Sequence, residues 1–274
     1  MRGLVVLGNS GTRLYVEEHG PPTGTPVVLL HGIGQCRRAW PWSLVAALAT
    51  DLRVVLVDLR GHGASDAPID GYDQSTTWAG DVAAVLDALR PAAPAVLVAW
   101  SYAGAVAADY LALHGTAGLR ALCLVGATPD LGPAAISHLG PGFLAVSRRL
   151  LSTDPARVER AQGDFVDLLT AAPLPPGEHG RAVGWSEVIP PYVWSGMLRR
   201  EVRHDGTLRK LAIPTLVVHG DADRVVLPSR GERSAALVPG ATLARYAGVG
   251  HSPPREAPTR FLADLRALVA TAEG

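Results

Sequence analysis

The sequence predicts an α/β fold: a mostly parallel sheet with an antiparallel hairpin at its N-terminal end and helices on both faces. Three observations predict it. Residues 27–30, 54–57, 96–98, 121–125 and 215–218 are short, continuous apolar runs, as expected of strands buried on both faces. Helical patterns lie between them, and such alternation implies parallel strands joined by crossover helices. Before the first run, residues 3–7 and 13–18 flank the turn Gly8-Asn9-Ser10-Gly11. The second of these alternates as Leu14-Tyr15-Val16-Glu17, which suits a half-exposed hairpin strand.

Helices are read at 42–49, 75–89, 101–114, 230–238 and 258–270. In the second, Trp78, Val82, Val85, Leu86 and Leu89 recur at helical spacing, and Pro91 is read as its end. Gly115 stands in the stop position of the third. The rhythm breaks over residues 129–209, where helical patterns run without a convincing strand and prolines cut the chain into pieces. That stretch is long for a crossover. It is read as an inserted helical cap, leaving 1–128 and 210–274 as the core.

Composition narrows the function. The length of 274 residues suits one large domain, or one domain with an insertion, and 48% hydrophobic content supports a buried core. The formal net charge is +0, and Lys210 is the only lysine. Neither nucleic acid nor a membrane surface is expected as a partner. Cys36 and Cys123 suggest no disulfide framework. The first residues hold too short an apolar stretch for a signal peptide, and no run is long enough to span a bilayer. A cytoplasmic location is therefore expected. Without a His-Glu-x-x-His run or a cysteine pair at zinc spacing, no metal is expected. Gly61-His62-Gly63 lacks the rest of a glycine-rich phosphate loop, so no dinucleotide site is expected either.

The chemistry centres on Val98-Ala99-Trp100-Ser101-Tyr102-Ala103-Gly104. A buried strand breaks at a serine among small residues, and a helix follows at once. That corner exposes the hydroxyl and aims amides at it, which suits a nucleophile. Ala99 and Ala103 stand where the G-x-S-x-G pattern has glycines, so the small-residue demand is met by methyl groups.

Open α/β sheets bind ligands outside the carboxyl ends of their strands. Polar, glycine-rich loops follow several strands here: His31-Gly32-Ile33-Gly34, Asp58-Leu59-Arg60-Gly61-His62-Gly63-Ala64-Ser65-Asp66, the Ser101 corner, His219-Gly220-Asp221-Ala222-Asp223, and Gly248-Val249-Gly250-His251. Together they make the chain resemble the α/β-hydrolase superfamily over nearly its whole length, the cap matching least. Within it, the chain is similar to capped bacterial esterases, enol-lactonases and cofactor-free perhydrolases.

The resemblance implies a Ser-Asp-His triad with no cofactor. Ser101 is the nucleophile, and His251, after the last strand and before the last helix, is its base. The acid is Asp221 or Asp223. The Gly-x-x-Asp pattern beginning at Gly220 favours Asp223, with Asp130 as a rarer placement after an earlier strand. The backbone amides of Ile33 and Tyr102 are the implied oxyanion donors. His31 and His62 are read as structural, and His219 as ordering the acid loop. Candidate residues around a substrate pocket are Gly32, Trp100, Trp185, Tyr192 and Trp194. Packing beneath the elbow is the competing reading for Trp100, and holding the cap onto the core for the other aromatics.

The expected activity is cleavage of a small or medium-sized apolar ester, lactone or thioester through an acyl-enzyme. The same fold also serves perhydrolysis, carbon–carbon bond hydrolysis, cyclisation and ligand binding, which stand as alternatives. The sequence leaves the substrate and the oligomeric state open.

Overall fold

The computed structural model describes residues 1–89 and 93–273; Pro91, read as a helix end, lies outside them. Eight strands form one sheet: β1 (Arg2–Leu7), β2 (Arg13–His19), β3 (Pro26–Leu30), β4 (Arg53–Val57), β5 (Ala95–Trp100), β6 (Leu119–Val125), β7 (Thr215–Gly220) and β8 (Thr242–Tyr246). Their spatial order is β1-β2-β4-β3-β5-β6-β7-β8. β1 pairs antiparallel with β2, and β2 antiparallel with β4. Every other neighbouring pair is parallel.

The apolar runs are explained by what covers each face. Val28, Leu30, Val55, Val57, Leu97 and Ala99 point into one hydrophobic cluster. Their neighbours Val27, Leu29, Val54, Leu56, Val96 and Val98 point into another. Burying one such side chain contributes about 2 kcal/mol, so the strands need no polar face. The first cluster is closed by α2 (Ser75–Ala88) and α3 (Ala103–His114), through Trp78, Val82, Val106 and Tyr110. The second is closed by α1 (Trp42–Leu48) and the last helix, through Leu44, Leu48, Phe261 and Leu265. Gly115 ends α3 with φ 63°, a positive φ that favours glycine.

Between β6 and β7 the chain runs through α4 (Pro141–Leu150), α5 (Pro155–Leu168), α6 (Pro176–Glu187), α7 (Pro191–Leu198) and the single turn α8 (Asp205–Leu208). Four of the prolines that punctuate this stretch are helix starts. Pro141, Pro155, Pro176 and Pro191 each sit in a first turn, where the missing N–H costs nothing. Asp154 adds a side-chain cap to Ala156 N at 3.0 Å. Phe143, Phe165, Val193 and Trp194 join the first core cluster, so these helices share its apolar interior. Backbone bridges Leu131↔Val202 and Leu139↔Val226 tie the start of the stretch to later chain.

The chain finishes with α9 (Pro228–Leu237), α10 (Pro253–Glu256) and α11 (Pro258–Glu273). No helix among the described residues is long and apolar enough to cross a membrane.

Candidate active site

Ser101 follows β5 directly and has φ 60°, in the left-handed region. A non-glycine residue there is strained by about 1–2 kcal/mol. Three backbone bonds hold it. Its N–H donates to Val125 O at 2.9 Å, and its carbonyl accepts from Gly104 N at 2.9 Å and Thr128 N at 3.1 Å. The turn forms with Ala99 and Ala103 fully buried on either side, so a methyl group fits at both positions. Gly32 is less tolerant, because a Cβ there would stand 2.9 Å from Ser101 Cβ.

His251 meets Ser101 from the loop after β8. Ser101 Oγ lies 2.8 Å from His251 Nε2, and His251 Nδ1 lies 2.7 Å from Asp223 Oδ2. With Nδ1–H donating to the carboxylate, Nε2 is left bare to accept the serine proton. Burial alone would raise the Asp223 carboxyl. The neighbouring His251 and the hydrogen bonds from His219 and His251 outweigh it and bring the group down to about 2. Its other oxygen accepts from Val225 N at 2.8 Å and Val226 N at 3.0 Å. His219 Nε2–H donates to Val226 O at 2.9 Å and lies 3.2 Å from Asp223 Oδ2, so it orders this loop as well.

The rival acids are engaged elsewhere. Asp221 accepts from Gly248 N at 2.7 Å, which joins the acid loop to the histidine loop. Asp130 accepts from His204 N at 2.7 Å and from Arg230 Nη1 at 2.8 Å.

Ile33 and Tyr102, whose backbone amides are the expected oxyanion donors, line one cavity with Ser101. Neither amide donates to an acceptor among the described residues. Two neutral histidines fix the loop that carries Ile33. His62 Nε2 accepts from Gly34 N at 3.3 Å, while its Nδ1–H donates to Arg60 O at 2.9 Å. His31 Nε2 accepts from Leu59 N at 3.0 Å, while its Nδ1–H donates to Gly32 O at 2.8 Å. Burial depresses both rings, His31 to about 4 and His62 to about 3. Each therefore stays a neutral acceptor at neutral pH.

A family model described as "Alpha/beta hydrolase family" matches residues 27–265. The chain belongs to that family. An esterase from Rhodococcus sp. ECU1013, RhEst1, is 40% identical, with TM-score 0.94 over 99% of this chain and 100% of that one. The esterase EaEST from Exiguobacterium antarcticum is 26% identical, with TM-score 0.86 over the whole of both chains (100% each). A non-heme chloroperoxidase of Streptomyces lividans is 30% identical over 96% of this chain and 98% of its own. A bifunctional esterase/perhydrolase, DCH, of Acinetobacter calcoaceticus is 27% identical over 96% of this chain and 98% of its own.

In this alpha/beta hydrolase a cavity of about 440 Å³ opens on Ser101. Its walls are mainly apolar: Leu131, Leu139, Phe143, Met197, Val225 and Val226 are among them. Sequence reasoning missed these residues. Phe143 and Met197 belong to helical apolar patterns, and no periodicity distinguishes a core position from one facing a cavity.

None of the four candidate pocket aromatics lines that cavity. Trp100 points to the opposite face of the sheet, into the second core cluster. Trp194 packs on Phe165 at 6.3 Å between ring centres, and its ring lies where a side chain on Gly34 would be. Tyr192 donates its hydroxyl to Ala67 O at 2.7 Å. Trp185 lines a separate cavity. Tyr192 and Trp194 share one reason: α7 turns both toward the core and its loops, where they anchor that helix. Gly32 keeps its place against Ser101.

Proposed function

We propose that this alpha/beta hydrolase cleaves small or medium-sized apolar esters, lactones or thioesters through an acyl-enzyme on Ser101. The observation that carries the reading is the hydrogen-bonded run Ser101–His251–Asp223 at the mouth of an apolar cavity. Esterases among its structural neighbours support it.

Ser101 Oγ attacks the carbonyl carbon while its proton passes to His251 Nε2. The carbonyl oxygen becomes an oxyanion held by the amides of Ile33 and Tyr102; losing one such donor costs about 3 kcal/mol. Asp223 keeps the imidazole oriented and stabilises its charged form. The C–O or C–S bond breaks, and the leaving group takes the proton from Nε2. Water, deprotonated by the same nitrogen, attacks the acyl-serine and releases the acid. Residues 129–209 act as the cap, with 1–128 and 210–274 as the core, and Phe143 and Met197 bring the cap's apolar face to the acyl group. A cytoplasmic location belongs to the same reading.

A second reaction on the same site is perhydrolysis, favoured by the relatives named as a chloroperoxidase and a perhydrolase. Hydrogen peroxide then replaces water in the second half-reaction and a peroxy acid leaves.

The test is fluorophosphonate labelling and turnover of short-chain p-nitrophenyl esters, in wild type and Ser101→Ala. Stoichiometric labelling and turnover, both abolished by the substitution, are expected. Turnover undiminished in Ser101→Ala overturns the proposal, and peroxide-dependent product in the wild type assigns the second reaction.

A further inference from the structure

A second cavity, of about 500 Å³, shares none of its lining residues with the catalytic one. Three of the chain's 6 tryptophans line it: Trp40, Trp42 and Trp185. Trp42, in the first turn of α1, is 64% exposed, which is unusual for so large an apolar ring on a folded surface. Trp40 is buried, and its indole N–H has no partner among the described residues.

The charge around these rings is unbalanced. Arg37, Arg38, Arg181 and Arg255 all line the cavity, against the two carboxylates Glu17 and Glu178. Both carboxylates are engaged. Glu17 accepts from Arg37 Nε at 2.9 Å and lies 2.7 Å from His19 Nε2, and Glu178 accepts from Arg255. Arg37 is held further by Asp58 at 2.6 Å. Arg38 and Arg181 are exposed and have no carboxylate partner among the described residues. Flat indoles beside surplus guanidinium groups suit a ligand that is both planar and anionic. Its ring stacks on tryptophan, and its carboxylate meets the planar fork of an arginine.

We infer that this cavity is a binding site for an aromatic carboxylate, with the ring against Trp42 and Trp185 and the carboxylate at Arg38 and Arg181. The site lies behind the histidine loop. Trp40 meets Trp100 edge-on at 6.1 Å between ring centres, and Trp100 in turn holds the His251 carbonyl. Arg255, in α10 just after His251, reaches Ala39 O at 3.5 Å.

Benzoate and 1-naphthoate, titrated into the protein by isothermal calorimetry, test the site without any need for turnover. Failure here is therefore separate from failure of the esterase reading. One saturable site per chain is expected, tighter for the larger ring. Affinity should fall about tenfold in Trp42→Ala and about tenfold in the double variant Arg38→Gln/Arg181→Gln. Because these three side chains are exposed, the variants keep the fold, and their thermal unfolding checks that. Benzyl alcohol and cyclohexanecarboxylate, each lacking one of the two features, should bind at least about tenfold more weakly. No saturable binding, affinity unchanged in both variants, or equal affinity for either control overturns the proposal.

Discussion

The indole N–H of Trp100 donates to the backbone carbonyl of His251 at 2.8 Å. The residue before the nucleophile thus holds the loop that carries the base, and the two rings lie 5.9 Å apart. Ser101 and His251 are 150 residues apart in the chain, and this bond pins one to the other through a rigid, buried ring.

Trp100→Phe keeps an aromatic ring in the core and removes the donor. The His251 carbonyl then loses its partner, at a cost of about 1–2 kcal/mol. The expected outcome is kcat/KM about tenfold lower, mostly in kcat, with Tm lower by about 2–4 °C. Steady-state kinetics on p-nitrophenyl butyrate and a thermal melt measure the two effects. An unaltered kcat would show that the loop holds His251 without this bond.

Asp223→Asn should lower kcat by about ten-thousandfold, because the amide leaves His251 in the wrong tautomer. Asp221→Asn should cost only several-fold, since its carboxylate meets the Gly248 amide and not the imidazole. Asp130→Asn should act on stability instead, leaving the buried Arg230 with only the more distant carboxylate of Asp205 at 3.8 Å. Comparing kcat with urea midpoints for the three variants separates these roles.

Gly32→Ala places a Cβ 2.9 Å from Ser101 Cβ, which is too close for both to stay in place. Displacing the nucleophile or the Ile33 amide by a fraction of an ångström to one ångström should lower kcat by about a hundredfold. The rate of fluorophosphonate labelling should fall with it. Labelling at the wild-type rate would mean that the loop relaxes freely.

Acid should destabilise this fold through its buried histidines. In the folded chain His31 and His62 titrate at about 4 and about 3, below the ordinary 6.5 of the unfolded chain. Their contribution is fully present above pH 6.5. As pH falls toward 4 the unfolded chain takes up protons that the folded rings refuse. Each ring then costs about 1.4 kcal/mol per pH unit. Asp223, lowered from 3.8 to about 2, adds its loss only below that window. Urea midpoints measured from pH 7 to 4.5 should decline steadily, and His31→Gln should flatten the slope by about one proton. A slope unaltered by the substitution would place the proton uptake elsewhere.

Much of the site was legible because its parts lie where chain direction and sheet geometry leave little choice. The apolar runs fix β3 to β7, parallel strands send their carboxyl ends to one edge, and the loops after β5, β7 and β8 must then meet there. Ser101, Asp223 and His251 all follow strands in that way. The acid was narrowed only by resemblance, because Asp221 and Asp223 share one loop and local sequence does not say which carboxylate turns inward. The cavity walls and the tryptophans were not legible. Periodicity marks Phe143, Trp185, Tyr192, Trp194 and Met197 as apolar positions on helices, but what each faces depends on how α4 to α7 settle on the core.

By itself the sequence determined the strand order along the chain, the proline-broken helical character of residues 129–209, and the strand-to-helix corner at Ser101. These are local matters of dihedral preference and hydrophobic pattern, decided within a few residues. Only the tertiary structure decided that Trp100 would hold His251, that Asp221 would bind Gly248, and that Phe143 rather than Trp194 would face the catalytic cavity. Those outcomes depend on contacts between residues remote in the chain, where packing of whole elements, and not the preference of any one residue, sets the geometry.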